Sequence, residues 1–139
     1  MAPLHITFHP AILCQLLAPG VVLNSEELVR FATAEPHGAL VSFHGVVRPL
    51  ENGAPISGLD YEWHDTLAER ELHRIVAQTA ARFPVTRVAC AHRTGFVPAG
   101  ETVVAIYVAA DHRTPAFEAC QAIIAELKAH VPIWKSPMA

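Results

Sequence analysis

The apolar segment Thr102–Ala110 (TVVAIYVAA) constrains the fold more than any other part of the chain. A run this apolar is typical of a central strand in a sheet that is covered on both faces. Alternating apolar and polar residues, bounded by turn residues, indicate other candidate strands. We predict these further strands at 4–8, 38–47, 59–63 and 85–92.

Helix signals stand between the candidate strands. Asn24 with Glu27, and Thr66 with Glu69, have the spacing of a capping box, in which two residues satisfy the free N–H groups of a helix N-terminus. A last helix is predicted over 115–130, with a proline at its favoured first position. Strands and helices in this order predict the α+β class with a mainly antiparallel sheet.

Composition narrows the possible functions. The 139 residues fit a single domain, 1–139. They are 52% hydrophobic and only 17% charged, which indicates that part of the apolar surface is buried against another chain. The formal charge of −3 argues against a nucleic-acid partner. Because the chain shows neither a long apolar run nor a secretory signal, we expect no membrane partner and a cytoplasmic location.

Cysteine and histidine patterns do not predict a metal or redox centre. The three cysteines, Cys14, Cys90 and Cys120, are widely spaced on apolar patterns, which favours buried, reduced thiols over a disulfide framework. The nine histidines form no HxH or HExxH motif. We therefore predict no metal site and no cofactor.

Lysine usage points to the end of the chain. Eight arginines are spread along the sequence, but the only lysines are Lys128 and Lys135. On a helical wheel, Lys128 lies at the edge of an apolar face, where an ammonium can become a base or nucleophile or can simply reach water. Trp134 can dock Lys135 at a defined place, or it can only seal the core beside a solvated charge. The wheel places Phe117, Cys120, Ile124, Leu127 and Val131 on that apolar face.

A second candidate site lies before the last helix. Asp111, His112 and Arg113 stand between the most apolar strand and the helix N-terminus, where free N–H groups favour a phosphate or carboxylate. Arg48, at the end of another apolar strand, is placed to join them. Alternatively, both arginines pair with nearby acids at strand ends.

Several motifs occur in a fixed order over residues 38–135. They are GALVSFHGVVR at 38–48, LDYE at 59–62, AHRTG at 91–95, PAGE at 98–101, ADHR at 110–113, AFEAC at 116–120, LK at 127–128 and VPIWK at 131–135. Together they resemble the motifs of the large, catalytic subunit of molybdopterin synthase, the MoaE family. Residues 1–37 match only loosely.

The resemblance implies a hammerhead-like α+β fold and a sulfurtransferase activity. Members of the family convert cyclic pyranopterin monophosphate (precursor Z) into molybdopterin by installing its two dithiolene sulfurs. The sulfur arrives as a thiocarboxylate on the C-terminal glycine of a small ubiquitin-like subunit. The resemblance also implies that the large subunit forms a homodimer at the core of a heterotetramer with two such carriers.

Site residues follow from the same resemblance. Lys128 and Lys135 match the two functional lysines of the family, which activate the substrate and handle acyl or proton transfer. Arg48, His112 and Arg113 match residues that hold the pterin phosphate, the last two from the neighbouring large subunit. The remaining matches, Val46 and Val47, adjoin that pocket.

The sequence departs from the family after Lys135. Another basic residue and a glutamate commonly follow there, whereas this chain has the short tail 136–139. An alternative function is therefore a non-catalytic paralogue that binds the carrier or a phosphorylated pterin. A third, a lysine- or histidine-dependent hydrolase, would turn over its substrate without a carrier.

Overall fold

The apolar segment 102–110 forms the centre of the main sheet in the computed structural model, which describes residues 6–139. In chain order the elements are β1 (Ala11–Leu17), α1 (Ser25–Ala32), β2 (Ala39–Val46), β3 (Leu50–Glu51), β4 (Ala54–Pro55), β5 (Gly58–Trp63), α2 (Ala68–Ala80), β6 (Val85–Arg93), β7 (Gly95–Pro98), β8 (Thr102–Ala110), α3 (Arg113–His130) and β9 (Ile133–Met138). The main sheet has the strand order β1-β6-β8-β2. Strand β8 pairs antiparallel with both of its neighbours, and only β1 runs parallel, alongside β6.

Helices cover both faces of this sheet. Helices α2 and α3 pack on one face, around a core that includes Leu72, Ile106 and Ile123. Helix α1 covers the other face and packs Leu28 against Tyr107. Burying each large side chain of these cores removes apolar surface from water and stabilises the fold by about 1.5–3 kcal/mol. Because both faces of β8 are covered, residues 105–110 are all buried, as predicted for the central strand.

A second sheet brings the end of the chain back to the body of the protein. It has three antiparallel strands in the order β7-β5-β9, so that β9 pairs with β5 from Gly58↔Met138 to Trp63↔Ile133. A small core of Val47, Leu59 and Val97 joins the second sheet to the main sheet.

The hairpin of β3 and β4 follows the end of β2. Its turn residues, Asn52 and Gly53, have φ values of 51° and 79°, the left-handed backbone that the favoured two-residue hairpin turns require. Glycine and asparagine tolerate this conformation better than other residues do, which explains their use in this turn.

The predicted fold class is confirmed: the architecture is α+β, hammerhead-like, with mainly antiparallel pairing and packed helices. The strands predicted at 38–47, 59–63 and 85–92 correspond to β2, β5 and β6. None of the helices within residues 6–139 is long and apolar enough to cross a membrane.

The N-terminal strand lies later in the chain than predicted. Of the expected strand 4–8, residues 4 and 5 lie outside the described residues, and residues 6–8 are not in a strand. Strand β1 instead spans Ala11–Leu17, an apolar run that lacks the strict alternation used for the prediction.

The two predicted capping boxes have different outcomes. At α1, the side chain of Asn24 accepts a hydrogen bond from the backbone N–H of Glu27 at 3.1 Å, so the predicted cap is confirmed. At α2, the prediction of Thr66 as the cap is wrong, because the N-cap residue is Leu67 and no side chain caps the helix. In the turn before the helix, His64 Nδ1 accepts a hydrogen bond from the N–H of Leu67 at 3.2 Å.

Candidate active site

A cavity of about 680 Å³ opens where the C-terminal end of α3 meets the ends of β2 and β9. Its walls are largely apolar and include Phe43, Leu72 and Ile106. Five polar side chains project among these walls: Arg48, Tyr61, His92, Lys128 and Lys135. A mostly apolar cavity with a few convergent polar groups is typical of a small-molecule site.

Helix α3 carries Lys128 to the cavity in its last turn. The buried face of the helix is formed by Ala116, Ala119, Cys120 and Ile123. The wheel prediction is wrong for Phe117, which is 61% exposed because it points away from that buried face. A cation in the last turn of a helix is favoured by the negative end of the helix dipole.

Strand β9 carries Lys135 to the same cavity. Lys135 pairs with Tyr61 of β5 in the sheet register. Side chains alternate along a strand, so Ile133 and Lys135 face the cavity whereas Trp134 points outward and is 58% exposed. Strand pairing rather than burial of the tryptophan therefore fixes the position of this lysine.

The end of β2 supplies the third cation of the cavity. Val46 and Arg48 line the cavity, whereas Val47 between them is buried. The backbone N–H of Val47 donates to the carbonyl of Glu101 at 3.0 Å, and its own carbonyl accepts from Gly100 at 2.8 Å. These bonds hold the backbone beside Arg48 against the turn that precedes β8.

The predicted anion-binding pair lies elsewhere within one chain. His112 caps the N-terminus of α3 by position, Arg113 begins the helix, and both are exposed. Fifteen residues separate Arg113 from Lys128, which corresponds to about 22 Å along the helix axis. His112 and Arg113 therefore do not line the cavity of their own chain.

Tyr61 and His92 complete the polar lining, although the sequence analysis did not select them as site residues. Their rings meet edge to face, with 5.5 Å between the centroids. His92 Nδ1 lies 2.6 Å from the carbonyl oxygen of Arg93. The signal in the sequence is a histidine at the end of an apolar strand, two residues after the buried Cys90.

Burial changes the protonation of both rings. It lowers the pKa of His92, since a charged imidazolium is disfavoured away from water. Burial also raises the pKa of Tyr61, and the negative charge of Glu51 adds to that effect. The neutral forms of both side chains are therefore favoured.

The cavity is electropositive. Three of its lining side chains are cations, and no carboxylate lies among the described residues that line it. Both lysine side chains remain exposed, so the cations are accessible from solvent. Such a cleft concentrates anions such as phosphates and carboxylates.

The cysteines lie outside the cavity. All three are free thiols, and the predicted burial holds for Cys90 and Cys120, whereas Cys14 is only partly buried. A hydrogen bond with Cys14 and burial raise the pKa of Cys90, and burial raises the pKa of Cys120 to about 11. None of them lines the cavity, so cavity chemistry depends on nitrogen and oxygen groups.

Comparison with known proteins decides the family. Residues 21–130 match the model of the family described as "MoaE protein". The chain belongs to the MoaE family. It is 38% identical over 112 residues to the molybdopterin synthase catalytic subunit of Pyrococcus abyssi, an alignment that covers 81% of this chain and 76% of the relative. The corresponding protein of Arabidopsis thaliana is 36% identical, over 88% of this chain and 62% of the longer relative.

Solved structures agree with the family assignment. Molybdopterin synthase from Staphylococcus aureus superposes with a TM-score of 0.81 at 30% identity, and the match covers 89% of each chain. A complex of subunits 1 and 2 of the molybdopterin-converting factor from Helicobacter pylori gives a TM-score of 0.71 at 25% identity, over 89% of this chain and 83% of that one. The family predicted from the motifs, and its sulfurtransferase activity in molybdenum cofactor biosynthesis, are confirmed.

Proposed function

We propose that the cavity is where sulfur passes from a carrier thiocarboxylate to cyclic pyranopterin monophosphate (precursor Z), forming the molybdopterin dithiolene. The observation that carries this proposal is the convergence of the only two lysines in the chain, Lys128 and Lys135, with Arg48 on one cavity. Helix α3 and strand β9 are separate elements of the chain, so it is the folded structure that brings the two lysines together.

The charges of the cavity suit both reactants. A thiocarboxylate and a phosphate monoester are anions, and Arg48, Lys128 and Lys135 supply three cations. Arg48 holds the phosphate, since a guanidinium can bind it through two parallel hydrogen bonds. The lysines activate the substrate and stabilise the charge that develops as the acyl–sulfur bond breaks.

The sulfur donor is a small ubiquitin-like carrier subunit. The solved complex of subunits 1 and 2 from Helicobacter pylori supports a small-subunit partner. An extended carrier tail ending in Gly-Gly would enter the cavity along its apolar walls, and narrow glycines suit such an approach. The cytoplasm is the compartment that we propose for this encounter.

A second copy of the chain completes the phosphate site. Within the described residues, β2 is paired on one side only, with β8, and it exposes Leu40 and Val46. Antiparallel pairing of β2 with its copy, about a two-fold axis near its middle, places the start of one strand beside the end of the other. The N-terminus of α3 adjoins the start of β2, because Ala39 pairs with Ala110. Such a dimer brings His112 and Arg113 of the partner subunit to Arg48 and Lys128.

Reconstitution with thiocarboxylated carrier and precursor Z tests the proposal. We expect Lys128→Ala and Lys135→Ala each to lower molybdopterin formation by about 10²- to 10⁴-fold, the usual loss for an acid–base group. Arg70→Ala is the matched control, because Arg70 is an exposed cation on α2 outside the cavity. Unchanged turnover in both lysine variants would contradict the proposal.

The same assay separates the alternatives. A non-catalytic paralogue would bind the carrier and form no product, but the relatives named as catalytic subunits do not favour this possibility. A hydrolase would turn over without carrier.

A further inference from the structure

Proton acceptors are scarce in the cavity. Arg48, Lys128 and Lys135 are cations, which donate hydrogen bonds and cannot accept them. Among the described side chains that line the cavity, Tyr61 and His92 are the polar groups that remain. A tyrosine whose phenol stays protonated is a weak acceptor, so His92 is the stronger candidate for taking up a proton.

The fold orients His92 with one nitrogen free. A carbonyl oxygen can only accept, so the 2.6 Å contact with the Arg93 carbonyl requires the proton to be on Nδ1. The lone pair then lies on Nε2. In residues 6–139, the buried side-chain nitrogen and oxygen atoms without a hydrogen-bond partner are Nε of Arg87 and Nε of Arg93. Within the same residues, Nε2 of His92 has no hydrogen-bond partner and is not one of these buried atoms, so it is accessible where His92 lines the cavity.

The ring is held firmly in this orientation. His92 shares a face of β6 with Val88 and Cys90, which belong to the core under α2 and α3. The edge of its ring packs against Tyr61, at an interplanar angle of 75°. The side chain of Arg93 pairs with Glu101 at 2.8 Å, which anchors the residue whose carbonyl binds Nδ1. A base held in place on two sides is preorganised for proton transfer.

We infer that His92 is a catalytic proton acceptor of this cavity, an inference that rests on the proposed sulfur transfer. Once sulfur is bonded to the pterin carbon, a water oxygen attacks the thioester carbonyl while Nε2 takes a proton from that water. The acyl carbon–sulfur bond breaks, and its electron pair leaves with sulfur. The imidazolium then returns the proton to the thiolate. One water is consumed, the products are the carrier carboxylic acid and a pterin thiol, and no oxidant or reductant is needed.

The charged surroundings suit a neutral base. The ionisable groups that share the cavity are Tyr61 from β5, Arg48 after β2, Lys128 from α3 and Lys135 from β9. The residues of α2 and β8 that line the cavity are apolar. Glu51 of the β3–β4 hairpin is the charged group that acts on Tyr61. Because burial lowers its pKa, His92 keeps its free lone pair at neutral pH and is protonated only in more acidic solution than an ordinary histidine.

The test compares His92→Gln with the wild type in complex with the carrier. We expect kcat for molybdopterin formation to fall by about 10²- to 10⁴-fold, while KM for precursor Z and Kd for the carrier change less than about twofold. The wild-type rate should fall on the acidic side of its pH profile, at a pH below the ordinary pKa of histidine, and His92→Gln should lack this decline. His73→Gln is the control, since His73 is exposed on α2 outside the cavity.

Chemical rescue separates catalysis from structure. Added imidazole should raise the activity of His92→Ala at least about tenfold. Imidazole would not restore activity if His92 had a purely structural role. A kcat of His92→Gln equal to that of the wild type would overturn the inference. So would a pH profile of the wild-type enzyme without the acidic decline, and this second result does not depend on how well a variant folds. If the wild type forms no molybdopterin, the proposed sulfur transfer fails. If the wild type forms molybdopterin and the His92 variants keep full activity, only the inferred role of His92 fails.

Discussion

The two ends of helix α3 differ in what surrounds them. At the C-terminal end, Lys128 lies in a cavity with Lys135 and Arg48. At the N-terminal end, His112 and Arg113 are exposed and about 22 Å away. The sequence resemblance assigns both ends to one site. In the proposed antiparallel dimer, the opposite ends of α3 from two copies lie together, so each site would draw residues from both chains.

Among the changes that test this comparison, removing the Arg113 guanidinium from the exposed end of α3 should have the largest effect on activity. We expect Arg113→Ala to lower kcat/KM for precursor Z by about 10- to 100-fold, because a charge-assisted contact to the phosphate is lost. Steady-state kinetics with the carrier complex measure it. Arg30→Ala, a change at an exposed arginine of α1, is the control. Equal kinetics in the two variants would mean that the N-terminal end of α3 has no part in the reaction.

Separating the two copies should have the next largest effect. We expect Leu40→Glu to shift the chain toward monomer, since it places a carboxylate on an exposed part of β2, and to lower activity at least about tenfold at low micromolar concentration. Sedimentation and turnover are measured on the same sample. Val22→Glu changes an even more exposed apolar residue in the loop before α1 and should alter neither quantity. A fully active Leu40→Glu monomer would remove the partner subunit from the mechanism.

The smallest effect is expected on the opposite face of the sheet, under α1. Asn24→Ala removes the side-chain oxygen that caps α1, so the free energy of unfolding should fall by about 1 kcal/mol. Denaturant titration measures this loss. Because α1 packs away from the cavity, kcat should stay at the wild-type value. A large loss of kcat would show that the two faces are coupled.

Much of the fold follows from local patterns. The apolar run 102–110 predicts the central strand, and the Asn24 cap predicts the start of α1, because both signals are contained in a few adjacent residues. The predicted cap of α2 is wrong because the helix begins after Leu67, which has no side-chain cap bond, and His64 rather than Thr66 accepts from the N–H of Leu67. A helical wheel groups residues by angle alone and does not show which part of an apolar stripe the sheet covers. Phe117 lies outside the buried face of α3, so it is exposed.

The site was predictable only in part. The scarcity of lysine singled out Lys128 and Lys135, and the motifs added Arg48, but no sequence spacing says that α3 and β9 meet. His92 and Tyr61 looked like members of apolar strands. Their position at the cavity depends on the pairing of β5 with β9 and on the length of β6, which are long-range features of the fold.

Mixing two impaired variants tests the shared site most directly. Lys128→Ala and Arg113→Ala are each assayed alone, and are then combined after dissociation and reassociation of the dimer. If the partner subunit supplies Arg113, half of the dimers formed at random are mixed and each has one complete site, so about a quarter of wild-type turnover should return. If each chain used its own Arg113, no mixed dimer would hold a complete site. The mixture would then be no more active than its parents, which would contradict the account.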